Sequence, residues 1–380
     1  MSFSVSLQLP AVISLAMDFM TGVRTPIMFS HPGMSFTEKS LNSMSCEANS
    51  ISLTSFTAPD GHLEILFCRL ATVIVSASRR TDVPAFHFDW FMNRIRAGYA
   101  MVRNPVCRNV VYRVPMRPSD VDMLAFITKD PRPALPHLQE LKDMGYEMSF
   151  QVTITPYGRD LEPNVPDCTV VAEAVRELSR ILGRGRVIWR YDPVVISDTY
   201  PIDSHREDFG RIASMLDGYV DRCVFTFLDV YDKHLPLFGT GRLREATDEE
   251  RISFVRTAAP IARDHGIELA TCCTEKDYSD YGVPNRPCLD ARSLREWGIP
   301  YEPQTSPVRE GCACVKSIDI GAYDTCRHDC LYCYANRAAD SARSSRIYDP
   351  RSEMICGSVG PDDRVTEIRP RRSARLTDFL

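Results

Sequence analysis

The feature that most constrains the fold is a unit of helix, glycine and strand that recurs along the chain. Apolar residues at helical spacing precede Gly145, Gly183, Gly218 and Gly266, and a short run of β-branched or aromatic residues follows each glycine. This alternation predicts a parallel sheet with crossover helices. The predicted strands are 72–77, 110–114, 123–128, 148–154, 186–190, 223–228, 267–272 and 316–323.

The number of predicted strands favours a barrel over an open sheet. No Gly-x-Gly-x-x-Gly follows a strand, and the chain has no Walker-type phosphate loop, so a dinucleotide-binding sheet lacks support. We therefore predict an α/β fold with a (β/α) barrel-like parallel sheet. Reactive groups of such a fold lie just after the strands, at their carboxyl ends. The residues in these positions are Arg79, Arg80, Asp82, Lys129, Tyr191, Asp192, Asp229 and Glu275.

Composition and charge exclude several classes of protein. The net charge of −5 argues against a protein that coats polyanions, although a local basic groove for nucleic acid stays open. No apolar run approaches the roughly 20 residues that a membrane span requires. No Lys or Arg precedes Arg24, so the charged start of a secretory signal is missing. We therefore expect a cytoplasmic protein without a membrane partner.

The ends of the chain differ from its middle. Residues 1–70 are rich in Ser and Met, carry few charges and show no sustained helical or strand period. They predict a poorly ordered or spurious extension. Residues 71–311 would form the barrel body, and 312–360 would form a cysteine-bearing loop that completes it. Residues 361–380 are a basic tail, for which a solvated end is favoured over a nucleic-acid arm.

The strongest chemical signal is Cys326-Arg-His-Asp-Cys330-Leu-Tyr-Cys333, with the spacing C-x3-C-x2-C. Eight of the fourteen cysteines lie between Cys272 and Cys333, and clustered thiols in a reducing compartment are more often metal ligands than disulfides. Three thiolates on one short loop can bind three irons of a [4Fe–4S] cluster and leave the fourth iron open to a chelating ligand. The alternative is zinc, held by these cysteines with His328 or a more distant cysteine.

This spacing resembles the loop of the radical S-adenosylmethionine superfamily, C-x3-C-x-aromatic-C, with Tyr332 in the aromatic position. The resemblance implies that Cys326, Cys330 and Cys333 are cluster ligands and that Tyr332 lies near the adenine of S-adenosylmethionine. It also implies that one electron from the cluster cleaves the cofactor to a 5′-deoxyadenosyl radical, which then abstracts hydrogen from a substrate. The electron donor would be a flavodoxin or a ferredoxin.

The position of the loop departs from that superfamily, in which it usually follows the first barrel strand. Here it lies near the carboxyl end of the chain. A circular permutation accounts for this if strand 316–323 pairs beside strand 72–77, since a closed barrel has no unique first strand. The loop after strand 72–77 would then lie beside the cluster. We accordingly predict that Arg79, Arg80 and Asp82 contact the cofactor.

Three strings resemble a bacterial family labelled domain of unknown function 1848. They are Ser76-Ala-Ser-Arg-Arg-Thr-Asp82, Cys314-Val-Lys-Ser-Ile-Asp-Ile-Gly-Ala-Tyr323 and Tyr332-Cys-Tyr-Ala-Asn336. The likeness spans about residues 72–360 and implies a cluster but no particular substrate. The string Ile127-Thr-Lys-Asp130 departs from the expected Trp-Thr-Lys-Asn-like pattern, which weakens any role for that loop.

A second group of cysteines precedes the loop. Cys273, Cys288, Cys312 and Cys314, with Cys272 beside them, offer four thiolates for a structural zinc ion or an auxiliary iron–sulfur cluster. The alternative is a set of reduced core cysteines, because free cysteine is commonly buried. The remaining cysteines are isolated, and we interpret them as structural.

Two classes of function follow. The first is a radical enzyme whose substrate occupies the barrel mouth, opposite Arg79, Asp82, Lys129, Asp192 and Glu275. The second is a zinc- or cluster-stabilised binding, regulatory or electron-transfer protein without S-adenosylmethionine chemistry. The sequence names no substrate for the first class.

Overall fold

A computed structural model describes residues 51–57, 63–69, 73–77, 79–229, 243–274, 276–301, 311–336, 348–368 and 374–375. The strands are β1 Ile51–Thr57, β2 Leu63–Arg69, β3 Ile74–Ala77, β4 Tyr99–Arg103, β5 Val110–Pro115, β6 Met123–Thr128, β7 Met148–Thr153, β8 Val187–Val194, β9 Arg222–Phe227, β10 Glu268–Thr271, β11 Ile318–Asp319, β12 Arg364–Glu367 and β13 Ala374–Arg375. The helices are α1 Val83–Phe86, α2 Phe88–Ala97, α3 Leu138–Asp143, α4 Cys168–Leu182, α5 Ile202–Leu216, α6 Asp248–Asp264 and α7 Ala291–Glu296.

The chain divides into two compact units, Thr72–Pro370 and a smaller unit of Met1–Ala71 with Arg371–Leu380. In the smaller unit, β1 and β2 pair antiparallel, and β13 pairs antiparallel with β2. Two strands therefore lie within the segment 1–70, whose sequence shows no sustained strand period. Residues 1–50 lie outside the described residues.

The large unit is built on a seven-stranded parallel sheet in the order β10-β9-β8-β7-β6-β3-β11. Helices connect successive strands, which confirms the predicted α/β fold with a barrel-like parallel sheet. The edge strands β10 and β11 are not paired with each other in the described part of the chain, so the barrel is not closed.

The last strand of the parallel sheet lies beside β3, as the predicted circular permutation requires. β11 pairs parallel with β3, with Ile318 opposite Val75 and Asp319 opposite Ser76. The predicted adjacency of strands 316–323 and 72–77 is therefore confirmed. β11 is shorter than predicted because Asp319 turns its carboxylate to the backbone N–H of Arg79 (3.1 Å) and to the guanidinium of Arg80, and the chain then leaves the ladder.

One predicted strand belongs to another sheet. Strand 110–114 forms as β5, but it pairs antiparallel with β4 and parallel with β12 in a three-stranded sheet of order β12-β5-β4. The cause is the turn at Gly98, which has a φ of 78° and sends the chain from α2 directly into β4. β4 and β5 then form a local antiparallel pair instead of joining the parallel alternation.

The two faces of the parallel sheet bury different side chains. On one face, large aromatic residues such as Phe126, Phe150 and Trp189 pack against the helices. On the other face, Ile74, Met123, Ala125, Ile188 and Val224 pack against the segment around α7 and its cysteines. Each large apolar side chain buried in this way stabilises the fold by roughly 1.5–3 kcal/mol.

Helix ends follow the sequence signals closely. The predicted capping box at the start of α6 is present, with Thr247 and Glu250 each bonding the other's backbone N–H. The helix ends just before Gly266, as predicted. None of the helices in the described residues is long and apolar enough to cross a membrane.

Candidate functional site

Polar side chains from three strand ends meet the cysteine loop at the carboxyl edge of the sheet. Asp82 follows β3, Lys129 follows β6, and Glu162 lies in the loop after β7. Because carboxyl ends of parallel strands share one edge, residues distant in the chain are brought together there. The cysteine loop follows β11, the neighbour of β3, and so lies at the same edge.

Asp82 connects three segments at this edge. Its Oδ1 accepts the backbone N–H of Ala85 (3.0 Å) and caps α1. Its Oδ2 accepts the backbone N–H of Lys129 (2.8 Å) and lies 2.9 Å from Nε2 of His328. The other ring nitrogen of His328, Nδ1, is 3.3 Å from the carbonyl oxygen of Asn164. Both nitrogens of His328 therefore have protein partners, which argues against its service as a fourth zinc ligand.

A buried ion pair lies beside the loop. Glu162 is 2% exposed and accepts hydrogen bonds from Lys129 Nζ (2.8 Å), Thr155 Oγ1 (2.7 Å) and the hydroxyl of Tyr332. Burial alone would lower the pKa of Lys129, but Glu162 and the nearby Cys330 raise it above its usual value, so the ammonium stays charged. Burial and the same Glu162 carboxylate hold the pKa of the Tyr332 hydroxyl well above its ordinary range.

The three loop cysteines interact electrostatically. Burial raises the pKa of Cys330. The neighbouring Cys326 and Cys333 raise this pKa further, whereas the positive charge of Lys129 lowers it. Burial, Asp82 and Cys333 raise the pKa of Cys326 in the same way. Burial therefore disfavours the thiolate forms of Cys326 and Cys330, and a bound cation would favour them.

The loop backbone is fixed by local hydrogen bonds. Asp329 takes a left-handed conformation (φ 54°), which turns the chain between the first two cysteines. The amide of Asn336 donates to the carbonyl oxygen of Cys326 (2.6 Å), and the backbone N–H of Ala335 points at Cys333 Sγ (3.3 Å). An N–H directed at sulfur stabilises thiolate charge in iron–sulfur sites.

Most of the residues predicted for this site lie together. Besides Asp82, Lys129 and Tyr332, the two arginines of the predicted set bond to the segment around β11 that precedes the loop. Arg79 donates to the hydroxyl of Ser317, and Arg80 forms an ion pair with Asp319. The hydroxyl of Tyr334 in the cysteine loop donates to the carbonyl oxygen of Arg79.

Three candidates from the strand ends behave differently. β8 continues to Val194, so Tyr191 lies inside the strand, and its buried hydroxyl bonds Nδ1 of His205 (2.7 Å) in the helix-packed core. The prediction that Tyr191 lies just after a strand is wrong for that reason. Asp229 is exposed after β9, and Glu275 lies outside the described residues.

The second cysteine group is centred on Cys272, Cys288 and Cys314. Their sulfur atoms all lie within 4.8 Å of one another, and Cys288 Sγ is 3.4 Å from Cys314 Sγ. In the described part of the chain, this is the one group of three such side chains close enough to hold a single ion. Cys312, two residues before Cys314, packs against the same buried cluster. The compact group thus includes Cys272 rather than its neighbour Cys273, which the sequence favoured.

The two adjacent cysteines after β10 differ in burial and backbone conformation. Cys272 is buried, whereas Cys273 is partly buried and has a left-handed backbone conformation (φ 59°). Within the group, hydrogen bonds from Cys272 and Cys314 hold the pKa of Cys288 well below its usual value. The interaction with Cys288 raises the pKa of Cys272 to about 12.

Two strand residues lie beside the second cysteine group. Arg190 in β8 donates to Gln151 Oε1 (2.9 Å) and to the carboxylate of Asp192, and it interacts electrostatically with Cys272 and Cys288. Gln151 in turn donates to the carbonyl oxygen of Cys288 (2.9 Å). The sequence offers only one hint of this arrangement, a charged residue and an amide inside otherwise apolar buried strands.

Comparison with known proteins identifies the family. A family model described as "Domain of unknown function (DUF1848)" matches residues 74–335. The chain belongs to this family. The match spans β3 to the end of the cysteine loop and includes every residue of both cysteine groups.

Other comparisons gave little likeness. The search of curated proteins returned no match. Among solved structures, an HpcH/HpaI aldolase from Desulfitobacterium hafniense aligns with 11% identity over 60% of this chain and 90% of that chain, with a TM-score of 0.22. The EAL domain of Xanthomonas citri FimX in complex with c-diGMP aligns with 10% identity over 53% of this chain and 89% of that chain, with a TM-score of 0.20.

Proposed function

We propose that this protein is a radical enzyme that binds a [4Fe–4S] cluster through Cys326, Cys330 and Cys333 and reductively cleaves S-adenosylmethionine. The observation that carries the proposal is the position of the C-x3-C-x2-C loop, directly after a strand of a barrel-like parallel sheet and at its carboxyl edge. A reducing, cytoplasmic compartment suits such a cluster.

The donor set fits a cluster better than zinc. The loop cysteines do not gather around one point as the second group does, within the residues that the structure describes. Each cluster thiolate binds a different iron, so cluster ligands stand further apart than those of a single ion. His328, the nearest nitrogen candidate for zinc, is bonded to Asp82 and Asn164. Three soft sulfur donors without a nitrogen are typical of iron–sulfur ligation.

The surrounding residues have definable tasks. Lys129 places a positive charge beside Cys330 and stabilises its thiolate, and Glu162 holds Lys129 in position. Asp82 fixes His328 and thereby the turn between the first two cysteines. When bound, the cluster supplies one electron, received from a flavodoxin or a ferredoxin, to cleave the carbon–sulfur bond of S-adenosylmethionine into methionine and a 5′-deoxyadenosyl radical.

The test is anaerobic reconstitution of the full chain followed by metal analysis and a search for 5′-deoxyadenosine. We expect brown protein with about four irons per chain at this loop. With dithionite and S-adenosylmethionine it should produce 5′-deoxyadenosine. Cys330→Ala should lose both the iron and the product, whereas Cys107→Ala, at an exposed cysteine outside the loop, should retain both.

Two results would overturn the proposal. Colourless protein with zinc at the loop would favour the zinc-stabilised binding protein. Iron-loaded, reduced protein that leaves S-adenosylmethionine intact would favour electron transfer.

A further inference from the structure

The distances within the second cysteine group match one metal ion. A tetrahedral zinc ion with zinc–sulfur bonds of about 2.3 Å places its sulfur ligands about 3.8 Å apart. The sulfur atoms of Cys272, Cys288 and Cys314 lie within 4.8 Å of one another, with one pair at 3.4 Å. An auxiliary iron–sulfur cluster would need the sulfurs spread over several irons. The group is too compact for that arrangement.

The surroundings of the group suit a structural ion. Leu289, Leu294, Ile299 and Val315 pack around the cysteines and exclude water. Arg190 adds a positive charge beside Cys272 and Cys288, and Asp192 balances it in part. A divalent ion carries a net charge of −1 with three thiolates and −2 with four, so a neighbouring guanidinium lowers the cost of burying it.

We propose that Cys272, Cys288 and Cys314 bind one zinc ion, with Cys312 as the fourth ligand. Cys312 qualifies because it lies two residues before Cys314 and packs against the same buried cluster. On binding, the thiols lose their protons to solvent and each sulfur forms one bond to zinc, with no change in oxidation state. Four protein ligands leave no open position, which is characteristic of structural zinc.

The ion would join three segments of the chain. Cys272 directly follows β10, Cys288 precedes α7, and Cys314 precedes β11. β10 and β11 are the opposite edges of the seven-stranded sheet. Since β10 and β11 are not paired in the described residues, the ion would provide a link between the two ends of the barrel-like sheet. This role is independent of the radical chemistry proposed for the loop.

The experiment measures zinc and iron in the same preparations of the full chain. We expect about one zinc per chain. Zinc occupancy should fall at least tenfold in Cys288→Ser and in Cys272→Ser, and remain unchanged in the matched control Cys273→Ser. Iron at the loop should be unaffected by these changes. Conversely, Cys330→Ala should remove iron and leave zinc, so the failure of one proposal is distinguishable from the failure of the other.

Cobalt substitution provides a second measurement in case the zinc-site variants fail to fold. Metal-free Cys330→Ala chain, in which iron does not obscure the spectrum, should bind one Co²⁺ with the intense ligand-field and thiolate charge-transfer bands of tetrahedral sulfur coordination. Loss of zinc in Cys273→Ser but not in Cys272→Ser, loss of iron instead of zinc in Cys288→Ser, or a cobalt spectrum without thiolate bands would each overturn the proposal.

Discussion

Replacing Glu162 by alanine should destabilise the large unit more than any surface change. The carboxylate is 2% exposed, accepts Lys129 Nζ at 2.8 Å and Thr155 Oγ1 at 2.7 Å, and binds the hydroxyl of Tyr332. In Glu162→Ala, the ammonium of Lys129 stays in place with only 14% of its side chain exposed and loses its counter-charge. The two hydroxyls lose an acceptor as well.

The magnitude follows from the burial of the pair. Removing one partner of a buried ion pair costs about 3–5 kcal/mol, because the remaining charge is uncompensated. The free energy of unfolding of a typical domain is about 5–15 kcal/mol, so this loss is a large fraction of the total. The double variant Lys129→Met/Glu162→Leu removes both charges and replaces them by apolar groups of similar size. We expect it to be far less destabilised than the single variant.

The assay is urea denaturation followed by tryptophan fluorescence under anaerobic conditions, with iron measured in each variant. All three tryptophans, Trp90, Trp189 and Trp297, lie in the unit Thr72–Pro370, so the signal reports on that unit alone. A decrease of less than about 1 kcal/mol in the unfolding free energy of Glu162→Ala would refute the reasoning about the buried ion pair. An equal loss in the single and double variants would do so too.

Three further predictions concern the scaffold. Arg222→Leu should lower the free energy of unfolding by about 3 kcal/mol in urea denaturation, because the buried carboxylate of Asp290 loses its nearest counter-charge and keeps Arg286, at 3.3 Å, as its cationic partner, whereas exposed Arg292→Ala should leave the midpoint unchanged. Burial lowers the pKa of His205 below its usual 6.5. The unfolded chain therefore binds more protons at this residue, and the free energy of unfolding should fall by up to about 1.4 kcal/mol for each pH unit below about pH 6.5. If His205→Gln left the dependence of the unfolding free energy on pH unchanged, this prediction would be contradicted. Asp167→Ala should cost about 1 kcal/mol through loss of the α4 cap, and Asp167→Asn, which retains an acceptor, should recover most of the melting temperature.

Several features of the fold were predictable because their signals are local. The capping box at Thr247 and Glu250 involves residues three positions apart, and the positions of the strands follow from short apolar runs bounded by glycines. The adjacency of β11 and β3 was predictable for a different reason. The cysteine loop of the superfamily that it resembles usually follows the first barrel strand, so its position near the carboxyl end predicted a circular permutation with strand 316–323 beside strand 72–77.

Other features depend on contacts that no local pattern encodes. β5 pairs with β4 and not with the parallel sheet, because the turn at Gly98 places β4 close to β5 along the chain. Glu162 carries no periodic or motif signal, and its importance arises only when β6 and β7 pair and bring Lys129 to it.

The sequence by itself determined the alternating parallel architecture and the three-cysteine loop, since both depend on spacing along the chain. Only the tertiary structure decided which cysteines of the second group meet. Cys272 and Cys314 are distant in sequence, and of the adjacent Cys272 and Cys273 only Cys272 belongs to the compact group. The physical reason is that chain spacing fixes neighbours within a loop, whereas side-chain direction at a strand end is fixed by the backbone conformation and packing around it.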